Sequence, residues 1–402
     1  MKPVWLEAFL AALLHLLAFG IVVLQVIQLE NLVSLCFYAA LLTSVLLWAV
    51  TLCTAFTWTD WLCLAVLGLA LAHITIGIAV EAQAVSPLYF KKYILFACSV
   101  LYFQSASKVR LSGAFCRILL DGTAVLAVFL TAAYCLWPVD MHLYRGAVSR
   151  YLTFGFTNPN LAGLFLCCIY MLVASRLFES GRWQRKLFHG VLAAVQFVLL
   201  LKTGSRNTLL VAVVYTAACL CFGVFGLQRT RFSRVSAALA AVFPMVFAVL
   251  YLWLVPKDWV QALLSVLGGE GKSLLSRAEI WSGALEAFWT SPVIGAYGEV
   301  MRHMEHFQMH NTHLDILVSY GTGVFLLICV WLYRLIRGTA SDGATTMDYI
   351  RTLGFACAIA LGIGEAAAFS GGLCLYVFMG LFLLLRSSRT DMKENQDGAG
   401  SA

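Results

Sequence analysis

The chain has 402 residues, of which 61% are hydrophobic and only 12% are charged. Soluble domains are nearer to half apolar and a quarter charged, so this composition excludes a soluble enzyme, a disordered chain and a disulfide-stapled secreted domain. The formal net charge is +7, but Lys and Arg form no block with interleaved aromatic residues, and nucleic acid is therefore not an expected partner. The 13 cysteines lie in or beside apolar runs without a CxxC pair, which indicates buried thiols rather than a zinc or disulfide framework.

Twelve apolar runs follow one another, most of them close to the roughly 20 residues that a membrane-spanning helix needs. Because the runs are continuous and do not alternate, an outer-membrane barrel is disfavoured. The expected fold class is all-α: a polytopic membrane protein of about 12 transmembrane helices, forming a single integral membrane domain over residues 1–402. The spans are expected near 8–28, 32–53, 60–80, 89–106, 115–137, 159–176, 187–202, 207–227, 235–255, 313–335, 350–366 and 368–386.

The ends of the chain and the last two runs need separate treatment. The first run is of spanning length and has no small-residue cleavage pattern after it, which favours a retained helix over a cleaved signal peptide. The last two runs meet at a glycine-rich boundary, so a broken or re-entrant segment is an alternative to two full spans there. The polar tail 387–402 is expected to be disordered.

The distribution of Lys and Arg predicts the orientation in the membrane. With the N-terminus in the cytoplasm, 17 Lys and Arg fall on the cytoplasmic side and 10 on the outer side. Both termini are then cytoplasmic, and the long polar stretch 256–312 is an outward-facing loop. Four chemically distinctive stretches also fall on the outer side.

The first two stretches flank predicted spans. In Asn158-Pro159-Asn160, a turn stops the chain before a span, and Asn160 can cap the helix that follows. Just before it, Arg150 is either a ligand-binding side chain or an anchor for lipid headgroups. In Lys202-Thr-Gly-Ser-Arg206, about four residues join two spans, and the two cations can hold a diphosphate beside a helix N-terminus. The alternative is that both side chains extend to the membrane surface.

The third stretch predicts an amphipathic surface helix. Ser276 and Glu279 have capping-box spacing, and the helix should run to about Thr290 and stop before the following proline. Helical periodicity places Arg277 in the middle of the apolar face, on the same side as Trp281. An inward-facing Arg needs an anionic partner, which is either a lipid-linked phosphate or an acidic residue from a span.

The fourth stretch is rich in histidine. A neutral His is a suitable general base near pH 7, and the neighbouring Asn311 or Asp315 can orient it. The spacing also permits a metal site, which the lack of Cys and of an HExxH arrangement disfavours, and a solvated polar turn is the third alternative. Within the apolar runs, Asp121 and Glu365 are the exceptional ionisable residues. Half of the eight histidines fall in this stretch: His303, His306, His310 and His313.

Taken in order, these stretches resemble the bacterial O-antigen ligase family and its relatives, the O-antigen polymerases and oligosaccharide ligases. The resemblance covers roughly 150–325, while the first five spans fit by number alone. It is carried by Asn158-Pro-Asn160, Gly204-Ser-Arg206, Arg277 with Trp281, Pro292 with Gly295, and His310-Asn311 with Leu314, Asp315 and Gly321.

The resemblance implies a glycosyltransferase C-like membrane fold with an outward active site. The donor would be a polyprenyl-diphosphate-linked glycan, and the acceptor a hydroxyl of a lipid, glycan or protein, without nucleotide sugar, cofactor or metal. The family's arginines correspond to Arg206 and Arg277, and its histidine to His310. Arg150, Lys202, Asn160, Asn311, His313 and Asp315 are further candidates for substrate binding. The expected location is the bacterial cytoplasmic membrane.

The sequence departs from the family pattern at two places, and it leaves several alternatives open. Gly321-Thr-Gly323 is one residue shorter than the usual Gly-x-x-Gly, and the additional histidines leave either His310 or His313 as the base. A polymerase that joins lipid-linked repeat units is the alternative within the class. A transporter or flippase of a lipid-linked or anionic solute is the alternative outside it, although no inverted repeat is visible.

Overall fold

The structure is a computed structural model, and it describes residues 4–54, 56–81, 87–144, 147–156, 158–179, 181–224, 237–266, 269–296, 309–339, 346–365, 369 and 374–385. Within these ranges the regular secondary structure is helical apart from two antiparallel strands of two residues, β1 (Leu143–Tyr144) and β2 (Ala147–Val148). The helices are α1 (Val4–Val26), α2 (Glu30–Thr54), α3 (Trp58–Glu81), α4 (Pro87–Ala106), α5 (Gly113–Leu136), α6 (Pro159–Ser175), α7 (Trp183–Thr203), α8 (Arg206–Val224), α9 (Ala237–Leu254), α10 (Asp258–Val266), α11 (Gly269–Thr290), α12 (Thr312–Thr339), α13 (Thr346–Ala360) and α14 (Leu375–Leu384).

Nine helices in the described part of the chain are long and apolar enough to cross a membrane. The chain therefore has the architecture of a polytopic membrane protein, as its composition predicts. Helices α8 and α14 are apolar but shorter, and α4 carries Lys91 and Lys92 in its second turn. The nine helices are α1, α2, α3, α5, α6, α7, α9, α12 and α13.

Three helices form the interior of the bundle. Every residue of α6 from Ala162 to Ser175 is buried, as is all of α14, and α13 is buried from Ile350 to Ile359. Gly163 permits a close contact with the next segment, because a Cβ atom there would lie 2.8 Å from Cβ of Ser205 in the turn before α8. Small residues allow membrane helices to approach in this way. The starts of α6 and α8 are consequently held together.

The helix that the structure describes in the predicted last span is short. A 3-10 turn at Leu361–Ile363 follows α13 and leads to Glu365, and the next helix in the described residues begins at Leu375. The ten residues of α14 extend about 15 Å at 1.5 Å per residue, which is half of a membrane core. Arg351 near the start of α13 donates to the carbonyl of Leu385 at the end of α14, so the two helices are antiparallel. The tail 387–402 lies outside the described residues.

Polar contacts collect at two ends of the bundle. At one end, Leu152 N donates to the carbonyl of Lys202 at 2.9 Å, and the Thr312 hydroxyl donates to the carbonyl of Glu365 at 3.2 Å. At the other end, Lys108 pairs with Asp60 at 2.5 Å, and Arg176 and Arg351 both pair with Glu179. We call the first the Glu365 end. Those Lys and Arg that the sequence analysis predicts on the outer side, and that the structure describes, lie at this end.

A break in α12 joins the surface helix α11 to the bundle. Gly321 has φ 79° and ψ 175° inside α12, and the turn after α11 fits against this break. Ala296 N donates to the carbonyl of Val318 at 2.8 Å, and Thr322 N donates to the carbonyl of Pro292 at 3.0 Å. A Cβ atom at Gly321 would lie 2.0 Å from the carbonyl oxygen of Val293. This position therefore requires glycine, both for its backbone angles and for the close approach.

Candidate functional site

Three side chains from distant parts of the sequence meet around the buried carboxylate of Glu365. Asn160 Nδ2 donates to Oε1 at 2.6 Å, and His310 Nδ1 lies 3.0 Å from Oε2. The guanidinium of Arg277 lies 3.8 Å from Oε1. The side chain of Glu365 is 8% exposed, whereas those of Arg277 and His310 are each 25% exposed. We call these four residues the Glu365 cluster; its Arg and His remain accessible while its carboxylate is enclosed.

Asn160 reaches the cluster from the first turn of α6. The predicted helix cap is wrong by two residues, because Asn158 and not Asn160 is the cap: its Oδ1 accepts a 2.8 Å hydrogen bond from Asn160 N. Pro159 occupies the first helical position, where its missing N–H has no cost. The Asn160 side chain is thereby released from capping and contacts Glu365.

Arg277 is presented by the amphipathic helix α11. The predicted faces are confirmed, since Trp281, Ala284 and Phe288 are buried and Glu279 is exposed. The predicted start is wrong, because the helix already begins at Gly269 and the capping-box residues lie inside it. The predicted end at Thr290 is confirmed.

The same face of α11 fixes the neighbouring histidine segment. Trp281 Nε1 donates to the carbonyl of Met309 at 2.7 Å. Trp281 is four residues after Arg277, and such residues share one face of a helix. One helical face therefore supplies Arg277 to the cluster and also holds the residue before His310. The partner of Arg277 in this structure is an acidic residue of the bundle, which was one of the two expected alternatives.

The residue that follows the cluster histidine, Asn311, has structural partners. Asn311 is fully buried, and its Oδ1 accepts from the backbone N–H groups of His313 at 3.1 Å and Leu314 at 2.9 Å. It therefore caps α12. Its Nδ2 donates to the carbonyl of Pro244 at 2.9 Å. The carboxylate that contacts His310 belongs to Glu365, so the expectation that Asn311 or Asp315 orients this histidine is corrected.

The structure distinguishes the two histidines that the sequence leaves as alternative bases. His313 is fully buried inside the bundle, with Nε2 2.6 Å from the carbonyl oxygen of Ala241. Asp315, in the same helical turn, pairs with Lys92 of α4 at 2.5 Å. His310 is the partly exposed member of the pair. Of the two histidines, it is the one that a bound molecule can reach.

Three further cations line the surface at the same end of the bundle. Arg150, Lys202 and Arg206 are all exposed. Arg150 lies 4.5 Å from the centre of the Tyr151 ring, and Tyr151 packs on Gly204, where a Cβ atom would lie 2.3 Å from the ring. This contact, together with the bond from Leu152 N to the carbonyl of Lys202, brings the first and second predicted stretches together.

The start of α8 connects these cations to the Glu365 cluster. Asn207, the residue after Arg206, donates from Nδ2 to the carbonyl of Leu361 at 2.8 Å. Its side chain also lies against Gly364, the residue before Glu365. The anion-binding candidates and the cluster thus share one surface of the protein.

The side chains of the site are an imidazole, a guanidinium, a carboxylate and an amide. In the described ranges, no group of three or more His, Cys, Asp and Glu side chains could hold a metal ion. His303 and His306 lie outside those ranges. With Nδ1 turned toward Glu365, the Nε2 atom of His310 is the one left to accept a proton from a substrate.

Glu365 is the site residue that the sequence candidates lack. The sequence marks Glu365 as an acidic residue within a glycine-containing apolar run. An acidic side chain in a membrane costs free energy unless it belongs to a functional site or has a partner. Sequence spacing gives no indication of its partners, which lie 55, 88 and 205 positions earlier. No family model, no curated protein and no solved structure matches the chain.

Proposed function

We propose that the protein is a membrane glycosyltransferase of the O-antigen ligase type. It transfers a glycan from a polyprenyl-diphosphate carrier to an acceptor hydroxyl on the outer side of a bacterial cytoplasmic membrane. The proposal includes about 12 spans in a glycosyltransferase C-like arrangement, with both termini in the cytoplasm. The observation that carries it is the Glu365 cluster: a partly exposed histidine held by a carboxylate, beside an arginine on a surface helix.

The reaction assigns one task to each group. The acceptor oxygen attacks the anomeric carbon of the glycan, and the bond from that carbon to the diphosphate oxygen breaks. His310 Nε2 takes the hydroxyl proton, and the imidazolium that forms is stabilised by the carboxylate of Glu365. The departing polyprenyl diphosphate carries the bonding electrons away as negative charge. Arg206 and Arg277 supply fixed positive charge where this negative charge develops.

The loose contact between Arg277 and Glu365 suits this task. At 3.8 Å the pair is longer than the 2.7–2.9 Å of a tight charge-assisted hydrogen bond. A diphosphate carries more negative charge than a carboxylate, so it can draw Arg277 away while Glu365 keeps Asn160 and His310. Before the donor binds, the carboxylate serves as counter-ion for a cation that would otherwise be partly buried and unpaired.

A complementation experiment tests the proposal. The chromosomal gene is deleted and restored with wild type, Arg206→Ala, Arg277→Ala or His310→Ala, at membrane levels matched by an epitope tag. Loss of one such cation should cost about 2–4 kcal/mol of transition-state stabilisation, or about 30- to 1000-fold in rate. The matched control is Arg182→Ala, an exposed arginine at the other end of the bundle.

The expected result is loss of surface glycan with accumulation of the lipid-linked glycan on the outer leaflet. Retained transfer in all three variants contradicts the proposal. Accumulation on the cytoplasmic leaflet replaces it with transport of the lipid-linked glycan. If the accumulated donor is a single repeat unit rather than a finished polymer, the reaction is polymerisation.

A further inference from the structure

A second candidate site lies in a groove at the opposite end of the bundle from Glu365. Helix α6 has Asn160 at its start and Arg176 just after its end, so about 25 Å of helix separates the two regions. The groove lies between α5 and α7 and has a volume of about 370 Å³, which is enough for a lipid headgroup. The reaction proposed above involves no group in this region.

One side of the groove is apolar and faces the surroundings of the bundle. Val125 and Val128 from α5 and Phe188 from α7 line it, with exposed fractions of 69%, 46% and 51%. Both helices are among those that can cross a membrane. In a membrane, their exposed apolar side chains would face lipid chains, and the groove would open toward lipid.

The other side of the groove is polar and carries an unbalanced positive charge. Arg176 is already neutralised, since it pairs with Asp121 at 2.9 Å and with Glu179 at 3.3 Å. Arg185 also lines the groove, is exposed, and has no ion pair with another described residue. An anion in the groove would complement this charge.

A buried imidazole adds an independent indication of a ligand. His189 lines the same groove, four residues after Arg185 and on the same face of α7. It is 5% exposed, and its Nδ1 atom has no hydrogen-bond partner among the described residues. Buried polar atoms in proteins nearly always have a partner. The atom is enclosed in this ring position, and a turn of the imidazole toward the groove would let an anionic oxygen there bind His189 and Arg185 together.

We propose that this groove binds one glycerophospholipid with an anionic headgroup. The phosphate lies between Arg185 and His189, and an acyl chain lies along Val125, Val128 and Phe188. The unneutralised arginine selects a net anionic headgroup over a zwitterionic one. Basic pockets between membrane helices recognise anionic lipids through the same combination of charge and apolar contact. In the proposed orientation, the lipid comes from the cytoplasmic leaflet.

The test is a lipid titration of the purified full-length protein in detergent, followed by native mass spectrometry. The probes are dioleoylphosphatidylglycerol, dioleoylphosphatidylethanolamine and inorganic phosphate. We expect one tightly bound phosphatidylglycerol, bound at least fivefold more tightly than phosphatidylethanolamine. Arg185→Gln should weaken binding about tenfold, whereas Lys186→Gln, an exposed cation on the same turn but outside the groove, should change it less than twofold.

A second variant tests the apolar wall of the groove, and two outcomes would contradict the lipid assignment. Val128→Trp fills the groove without changing its charge and should also abolish tight lipid binding. Equal effects of the Arg185 and Lys186 substitutions would mean that only general surface charge attracts lipid. Binding of inorganic phosphate as tightly as the lipid would mean a free-anion site. Either result overturns the lipid assignment, and neither bears on glycan transfer.

Discussion

The carboxylate of Glu365 can be neutralised with little change of shape, and the consequence tests the central contact of the proposed active site. Glu365→Gln keeps the length of the side chain and an oxygen that can still accept from Asn160 Nδ2, now at 2.6 Å. It removes the negative charge that lies 3.0 Å from His310 Nδ1 and 3.8 Å from Arg277. The proposed reaction needs that charge most when the histidine has taken up the acceptor proton.

The size of the effect follows from the geometry. A hydrogen bond to a charged group contributes about 1.5–3 kcal/mol net, and the 3.0 Å contact between His310 and Glu365 becomes fully charge-assisted when the imidazolium forms. Losing it should lower kcat by about 10- to 150-fold, at 1.36 kcal/mol for each factor of ten. The KM for the donor should stay the same or fall, because Gln competes less than Glu for Arg277.

The assay measures transfer in membrane vesicles, with the lipid-linked glycan extracted from the deletion strain as donor. Glu179→Gln is the matched control, since this carboxylate pairs with Arg176 and Arg351 at the other end of the bundle and should leave kcat unchanged. Glu365→Asp keeps the charge but shortens the side chain, so its kcat should lie between those of wild type and Glu365→Gln. Wild-type kcat in Glu365→Gln would refute the role, and so would a loss of activity that is fully explained by a loss of folded protein.

Two other substitutions have defined outcomes. His313→Gln should retain glycan transfer per folded molecule within about threefold of wild type. Its buried side chain contacts the carbonyl of Ala241 and not the Glu365 cluster. A loss as large as that of His310→Ala would make His313 the base. Gly321→Ala should destabilise the detergent-solubilised protein by at least about 3 kcal/mol in a thermal unfolding assay. A Cβ atom there would lie 2.0 Å from the carbonyl oxygen of Val293, at a backbone conformation that only glycine adopts easily. The control is Gly283→Ala, where a Cβ atom would have no neighbour within 4 Å and better helix propensity should give equal or higher stability. Equal stability of the two variants would contradict the docking of α11 at the Gly321 break.

The apolar pattern was sufficient to predict where the helices are. Within a few residues, the ends of α2, α6 and α12 are those expected from the sequence, because a membrane span must be both apolar and helical. The two faces of α11 were also predictable, since Trp281 and Glu279 differ strongly in polarity at helical spacing. The start of α11 was not predictable. The helix begins at Gly269 and continues through Ser276 and Glu279, whose capping-box spacing indicated a later start.

The same pattern could not predict which spans form the interior. Helices α6 and α14 are apolar on all sides, and so are helices that face lipid, because lipid and protein interior are equally apolar. Only packing places α6 in the centre and leaves much of α2 and α9 exposed. For the same reason, the sequence left open whether the last run is a full span or a broken segment, and the helix that the structure describes there is Leu375–Leu384.

The sequence by itself determined the membrane class, the helical segments and most of the polar candidates at one end of the bundle, because these depend on composition and on local periodicity. The tertiary structure alone decided how the candidates are used. It assigned Asn311 to a helix cap, His313 to the interior and Asp315 to Lys92, and it placed Glu365 between Asn160, Arg277 and His310. The physical reason is that a buried polar group takes whichever partner folding brings within about 3 Å, and that partner is set by packing between distant segments rather than by neighbours along the chain.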